Sequence, residues 1–134
     1  MIINANINGI DIQLKTDKKL FSPQNIDKGT LAMLSLINLE EDDKVLDLGC
    51  GYGIVGIYAA KVIGAKNVVM TDINKIAVEM AKENAVLNGV GQINVVEGDA
   101  YESIEDTDFS IILVNPPYHA NFSVPKKFIE KGFN

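Results

Sequence analysis

Asp47 stands just before three glycines at alternating positions, Gly49, Gly51 and Gly53, and this stretch of the sequence is the best suited to chemistry. A short apolar run precedes it and a helical pattern follows, so the order predicts a strand, a glycine-rich turn and a helix. Glycine permits a positive φ and lets a ligand approach the backbone, and the free N–H groups of a helix N-terminus face such a turn. The stretch therefore predicts a binding turn for a nucleotide-like cofactor.

Two classes of cofactor could use this turn. The spacing from Gly51 through Gly53 to Gly56 fits the dinucleotide fingerprint, and Asp72 lies about twenty residues on, where an acid that binds ribose is expected. Asp47 favours the second class, because a carboxylate there would repel a pyrophosphate but can hold an ammonium group. S-adenosyl-L-methionine (SAM) offers an amino acid head, a ribose and no phosphate. The alternative is that Asp47 is only a turn former at the end of a strand.

Asp72 follows an apolar segment that predicts a second buried strand. A carboxylate at the C-terminal end of this strand can accept hydrogen bonds from both ribose hydroxyls, and Ile73 beside it could supply an apolar wall for adenine. The alternative is that Asp72 is an acid at the N-terminus of the helix that Asn74 begins. The position at a strand end favours the ribose role.

Together with a later motif, these residues resemble a known family. The segment Val45–Gly53 resembles motif I of the class I SAM-dependent methyltransferases, and Asn115–Tyr118, Asn-Pro-Pro-Tyr, resembles the amine-methylating signature of the same superfamily. With Phe21-Ser22 and Asp27–Thr30, the sequence is similar to the small-domain methyltransferases related to the 16S rRNA guanine-N2 enzymes. The resemblance extends from Leu20 to His119.

The resemblance implies further contacts with the cofactor. It places Lys28, Gly29 and Thr30 over the methionine end of SAM, whereas the alternative is that Gly29 only marks a break before a helix. It also places Asp99, next to Ala100, where the carboxylate could accept from the adenine amino group. An aspartate after a glycine is also an ordinary turn residue.

The Asn-Pro-Pro-Tyr motif suits methyl transfer to nitrogen. An amide or exocyclic NH₂ is a poor nucleophile, and acceptors on its hydrogens return electron density to the nitrogen. The side-chain oxygen of Asn115 and the backbone carbonyl of Pro116 could be those acceptors, and Tyr118 offers a flat face for stacking. This chemistry needs no metal, and the single histidine and single cysteine predict no metal site. The alternative is a rigid loop that merely turns the chain.

The remaining segments alternate between strand and helix patterns, which predicts an α/β fold. Asn8-Gly9 between two alternating runs predicts an N-terminal β-hairpin that covers the core or helps to close the cofactor site. The predicted elements are strands Ile2–Ile7 and Ile10–Thr16, helix Thr30–Asn38, a strand from Val45, helix Ile54–Ile63, strand Asn67–Thr71, helix Asn74–Asn88, and strands Ile93–Val96 and Ser110–Val114.

The class I fold implied by the resemblance has seven strands in the order 3-2-1-4-5-7-6. Four are found here besides the hairpin, which implies a Rossmann-like open parallel sheet in the order 3-2-1-4, with strands 5–7 missing. We expect one domain over residues 1–134, with the hairpin in 1–21 and the core in 22–134, that is either a fragment or naturally short. An uncovered strand Ser110–Val114 would favour self-association through that edge.

Composition narrows the setting and the partners. The 134 residues are 47% hydrophobic and carry a net charge of −6, which disfavours a nucleic-acid substrate unless a local basic patch exists. Neither a membrane-spanning run nor a secretory signal pattern is found, and one cysteine agrees with a reducing compartment, so we expect a cytoplasmic location.

The patterns favour a SAM-dependent N-methyltransferase that acts on an exocyclic or amide NH₂, with a nucleobase in RNA, ribosomal RNA by resemblance, as substrate. A protein glutamine amide is the first alternative, because Asn-Pro-Pro-Tyr serves it equally well and the acidic charge does not oppose it. A SAM-binding remnant without activity is a second. A dinucleotide-dependent oxidoreductase is the last, since it would leave Asn115–Tyr118 unexplained.

Overall fold

The computed structural model of the chain describes residues 2–16, 28–98 and 109–114, with only the backbone of residues 28 and 29. A two-stranded antiparallel hairpin is followed by three helices and a four-stranded parallel sheet. The strands are β1 Ile2–Ile7, β2 Ile10–Lys15, β3 Val45–Leu48, β4 Val68–Asp72, β5 Asn94–Glu97 and β6 Ile111–Val114; the helices are α1 Lys28–Leu36, α2 Ile54–Ile63 and α3 Lys75–Leu87; and a 3₁₀ turn spans Ala65–Asn67.

The parallel sheet has the strand order β5-β4-β3-β6, which confirms the implied order 3-2-1-4. Because β3 pairs with β4 on one side and β6 on the other, the turn that follows β3 lies at the centre of the sheet's carboxyl edge. In this register Leu48 lies opposite Thr71 and Val114, so the ends of the three strands are level. This is the edge at which open α/β sheets bind ligands.

The helix α2 is buried along nearly its whole length, from Ile54 to Ala60. It contacts β3 and β4 on the sheet and also β2 of the hairpin, so it is covered from two directions. A helix that is apolar all round requires such an environment. The opposite face of the sheet carries a smaller cluster of Leu46, Val69, Ile112 and Phe109.

The hairpin confirms the prediction from Asn8-Gly9. Both residues have a positive φ, 51° and 84°, which is the conformation of a two-residue turn whose twist matches the strands. Along β2, Ile12 and Leu14 are buried in the main core while the alternate side chains face solvent. The hairpin therefore covers the core, and it packs on α2 and α3.

Some predicted boundaries and faces were wrong. Helix α1 begins at Lys28 and includes Gly29, so Gly29 does not mark a break before the helix. The spacing of Leu31, Leu34, Leu36 and Ile37 predicts one apolar stripe on this helix, but Leu36 is 85% exposed. On α3, Ile76 and Leu87 were predicted to lie on the apolar stripe but are exposed. Val78 and Asn84 are buried in their place, so the inward face is rotated about the helix axis relative to the prediction. Other ends differ by one or two residues, as helix and strand ends commonly do.

None of the helices in the described part of the chain is long and apolar enough to span a membrane.

Candidate functional site

The turn between β3 and α2 has the backbone that its glycines predict. Gly49, Gly51 and Gly53 have φ values of 75°, 54° and 98°, in the region that other residues avoid. The N–H groups of Gly49 and Cys50 both donate to the carbonyl of Thr71, each at 2.9 Å, which fixes the start of the turn to β4. Glycine suits these positions because most residues with a side chain adopt such conformations only with strain.

Cys50 is buried under the turn, where the sequence predicts a small residue without a metal role, and burial raises the pKa of its thiol. A thiol held in this way stays protonated and is a poor nucleophile. Its role is to fill space beneath the backbone that faces the ligand side of the sheet.

Gly56 belongs to the helix that follows, and its role is packing. A Cβ atom at this position would overlap the Sδ and Cγ atoms of Met70 on β4. The missing side chain therefore lets the first turn of α2 approach the sheet closely, as the third glycine of such fingerprints does. This approach also brings the Gly56 N–H to Asp47, to which it donates at 3.1 Å.

Asp47 lies within β3 and has no exposed surface. Its Oδ2 accepts from Gly56, whereas Oδ1 has no hydrogen-bond partner in the described part of the chain. Burial raises the pKa of the Asp47 carboxyl from 3.8 to about 7; the Gly56 N–H lowers this pKa and the charge of Asp72 raises it further. A buried acceptor without a partner is costly, so the turn holds one polar group whose needs the described chain does not meet.

Asp72, at the end of β4, joins the glycine turn to the start of α3. Its Oδ2 accepts from the N–H of Gly51 at 3.0 Å, and its Oδ1 accepts from the N–H of Asn74 at 2.9 Å. Asn74 caps α3 by accepting from Ile76. The helix-terminus interpretation of Asp72 is thus partly confirmed. Each carboxylate oxygen keeps a second lone pair, so hydrogen bonds from ribose hydroxyls stay a prediction.

The other predicted site residues are described to different extents. Ile73 is 72% exposed next to Asp72, where an apolar wall for adenine was expected. Thr30 is buried in α1, and of Lys28 and Gly29 only the helical backbone is described. The following predicted site residues lie outside the described residues: Asp99, Ala100, Asn115, Pro116 and Tyr118.

Two buried polar residues, one beside the turn and one at the opposite end of β3, were missed by the sequence interpretation. Asn84 on α3 has no exposed surface and bonds to the hairpin and to the carbonyl of Tyr52 in the glycine turn. Asp43 belongs to the charged run that precedes β3, and it is only 3% exposed. For Asn84 a signal existed: a poor helix former stands on the apolar face of α3, four residues before Asn88.

Comparison with known proteins assigns the chain to a family. The family model of the methyltransferase small domain matches residues 11–134. The uncharacterized protein YbxB of Bacillus subtilis is 32% identical over 91% of this chain and 62% of that protein. A ribosomal RNA small subunit methyltransferase C of Hamiltonella defensa is 34% identical over 90% of this chain and 35% of that protein.

A third relative, from Methanocaldococcus jannaschii, carries the name of a protein N5-glutamine methyltransferase and is 40% identical over 80% of this chain and 51% of that protein. The chain therefore spans between 35% and 62% of the length of these three relatives.

Solved structures show the same fold. The T. thermophilus 16S rRNA N2 methyltransferase RsmC, in complex with AdoMet and guanosine, has a TM-score of 0.70 at 24% identity and covers 90% of this chain and 34% of that one. An RNA methyltransferase from Salinibacter ruber, in complex with S-adenosyl-L-homocysteine, has a TM-score of 0.57 at 29% identity over 67% of this chain and 59% of that one. With its family model matched from residue 11 to residue 134, the chain belongs to the methyltransferase small domain family.

Proposed function

We propose that this chain is the SAM-binding part of an N-methyltransferase whose favoured substrate is an amino group on a nucleobase in RNA. The observation that carries the cofactor is the glycine turn flanked by two carboxylates, Asp47 and Asp72, one of which has a buried oxygen without a described partner. The family and its members named as ribosomal RNA methyltransferases support the reaction and the substrate.

The residues of the turn fit SAM better than a dinucleotide. Asp72 suits the ribose of either cofactor, whereas the carboxylate of Asp47 beside the turn would repel a pyrophosphate and suits a ligand with an ammonium group. The positive φ values of Gly49, Gly51 and Gly53 let a ligand approach the backbone without meeting a Cβ. When bound, SAM supplies a methyl group that is already activated for transfer to a nucleophile.

We assign the contacts of this cofactor as follows. Asp47 favours the ammonium group, Asp72 accepts from the ribose hydroxyls, Ile73 lines adenine, and Lys28–Thr30 lie over the methionine end. Asp99, next to Ala100, accepts a hydrogen bond from the adenine amino group. The exposure of Ile73 and the half-buried position of Asp72 support their availability to a ligand.

The chemistry of transfer falls to Asn115, Pro116 and Tyr118. The first two accept the hydrogens of the substrate NH₂, and Tyr118 stacks on the planar group that carries it. Val114, the residue before Asn115, lies opposite Leu48 in β3, which supports a place for the motif at the same edge as the glycine turn.

Other substrates and partners follow from specific observations. The M. jannaschii relative favours a protein glutamine amide as second candidate substrate. The net charge of −6 means that an RNA substrate would need cationic contacts from a local patch or from outside this chain. Self-association through β6 and a cytoplasmic location remain predictions, the first supported by the edge position of β6 among the described strands.

Calorimetry tests the cofactor and turnover tests the reaction. We expect the chain to bind SAM and not NAD; binding of NAD alone would overturn the assignment. Turnover is measured with labelled SAM, using a 16S rRNA transcript and a glutamine-containing peptide as separate substrates. Transfer to the transcript supports the favoured substrate, transfer to the peptide the second candidate, and SAM binding without either supports a remnant.

The Asn115→Ala variant tests the two-acceptor mechanism. It should keep SAM affinity but raise the activation free energy of methyl transfer by about 2–4 kcal/mol, as expected when one group that stabilises the charge of the transition state is lost. The comparison uses whichever form and substrate show turnover. A full rate in the variant would show that Asn115 does not act on the substrate amine.

A further inference from the structure

Among the described residues, the outer edge of β2 is paired by side chains of α3 and not by a third strand. Asn88 accepts from the N–H of Gln13 at 2.9 Å and donates to its carbonyl at 2.7 Å. Asn84 does the same at Lys15, at 2.7 Å and 2.9 Å. Four helical residues rise about 6 Å and two strand residues about 6.6 Å, so asparagines one turn apart on α3 match alternate residues of β2.

Asn84 has one further contact that Asn88 lacks. Its Nδ2 also donates, at 2.9 Å, to the carbonyl of Tyr52, which stands between Gly51 and Gly53 in the glycine turn. The spare donor of Asn88 returns instead to the backbone carbonyl of Asn84 in its own helix, at 2.7 Å. Both donors of the Asn84 amide are therefore used, one on the hairpin and one on the turn.

These bonds clamp the turn from two sides. Asp72 holds the N–H of Gly51, and Asn84 holds the carbonyl of the next residue, Tyr52. Flexible glycines have many alternative conformations, so fixed partners on the peptide groups at either side of the Gly51–Tyr52 pair restrict the conformations that the turn can adopt. Asn84 has no exposed surface, so bulk water does not compete for its hydrogen bonds in the folded chain.

We propose that Asn84 is a positioning residue of the SAM site, which couples the end of the hairpin at Lys15 to the glycine turn at Tyr52. The inference rests on the proposed function. The inference adds to the proposed function that the N-terminal hairpin helps to set the shape of the glycine turn through the buried amide of Asn84. Asn88 anchors the same strand without touching the turn, and it is therefore the matched control.

Calorimetry with SAM on the whole chain separates the two asparagines. Asn84→Asp keeps the acceptor for Lys15 but loses both donors, and Asn84→Ala loses the whole amide. We expect SAM affinity to fall about tenfold or more in both, the scale of one or two buried hydrogen bonds, and to change less than about twofold in Asn88→Ala. Thermal unfolding establishes that each variant is folded at the temperature of titration.

A spectroscopic signature distinguishes positioning from general destabilisation. The amide nitrogen of Gly53 is bonded to the Tyr52 carbonyl carbon, so its NMR chemical shift reports the hydrogen bond from Asn84. This shift should move in Asn84→Asp and stay in Asn88→Ala. If the Asn84 variants do not fold, a SAM titration of the wild-type chain should shift the side-chain amide signals of Asn84 and leave those of Asn88.

The outcomes are distinct. If the wild-type chain does not bind SAM, the proposed function fails and the inference fails with it. If the wild-type chain binds SAM while Asn84 and Asn88 variants lose affinity equally, or neither loses it, the positioning role of Asn84 is wrong and the proposed function stands. An unchanged Gly53 signal in Asn84→Asp would also overturn the coupling.

Discussion

The two ends of β3 use buried aspartates in opposite ways. At the amino end, Asp43 accepts from the N–H of Glu40 at 2.9 Å and from the hydroxyl of Ser110 at 2.8 Å, one bond for each oxygen. Near the carboxyl end, Asp47 has one oxygen bonded to Gly56 and one without a described partner. Both side chains are almost wholly removed from solvent.

The difference indicates two roles: Asp43 stabilises the sheet, whereas Asp47 belongs to the edge at which a ligand would bind. Ser110, bonded to Asp43, also accepts from the N–H of Lys44 at 2.9 Å, and this network aligns the starts of β3 and β6. The hydrogen bonds among these groups satisfy both oxygens of Asp43, as is usual for buried polar groups with a structural role. At the carboxyl edge, an unmet acceptor and a raised pKa are typical of a site that a ligand completes.

The largest effect should come from the charge of Asp47. Its pKa rises from 3.8 to about 7 on folding, so its ionisation destabilises the fold by about 4 kcal/mol above pH 7. The folded state keeps the proton longer than the unfolded state, and stability is therefore lost as the pH rises from about 4 to about 7. Relative to wild type, Asp47→Asn should gain about 4 kcal/mol between pH 4 and pH 8.

Urea unfolding of both proteins across this range measures that gain, and the difference cancels groups common to both. The same variant should bind SAM more weakly at pH 8 if an ionised Asp47 favours the ammonium group. A constant difference in stability with pH would mean that Asp47 is ionised normally and that the two ends of β3 are alike.

Removing Asp43 should have a slightly smaller effect, a loss of folding stability, and should leave SAM affinity unchanged. Asp43→Ala leaves the Glu40 N–H and the Ser110 hydroxyl without their buried acceptor, which we expect to lower the free energy of unfolding by about 3 kcal/mol. The control is Asp42→Ala, an exposed neighbour that should change it by less than about 0.5 kcal/mol. A loss of SAM affinity in folded Asp43→Ala would show that Asp43 also affects the binding site and that the two ends of β3 do not have separate roles.

Asp72 sharpens the comparison because it resembles both aspartates. Like Asp43 it has a hydrogen-bond donor for each oxygen, here two backbone N–H groups, but it lies half-buried at the carboxyl edge. Asp72→Ala should weaken SAM binding by about 1.5–3 kcal/mol, the scale of charge-assisted hydrogen bonds. Asn74→Ala, which removes the α3 cap, should lower stability by about 1 kcal/mol and leave SAM affinity intact. Equal SAM affinity in folded Asp72→Ala and wild type would make Asp72 a purely structural residue.

Much of the fold was open to prediction because its signals are local. Asn8-Gly9 determines its turn through the φ values that those two residues tolerate, and the glycines after Asp47 do the same for the binding turn. Periodic apolar residues located the helices and strands within a few residues, and the family resemblance supplied the strand order. The positions of Asp47 in β3 and Asp72 at the end of β4 could likewise be predicted from residue type and spacing.

Only the tertiary structure decided which polar residues are buried and what they meet. Asn84 finds Lys15 at a sequence separation of 69 residues, Ser110 reaches Asp43 at a separation of 67, and Gly56 is required by Met70 on another element. Local propensity extends over a few residues, whereas burial and hydrogen-bond partners depend on how distant elements pack. The sequence therefore determined the elements and the residue types at the binding edge, and packing determined which buried amide holds the turn and which carboxylate is left with an unmet oxygen.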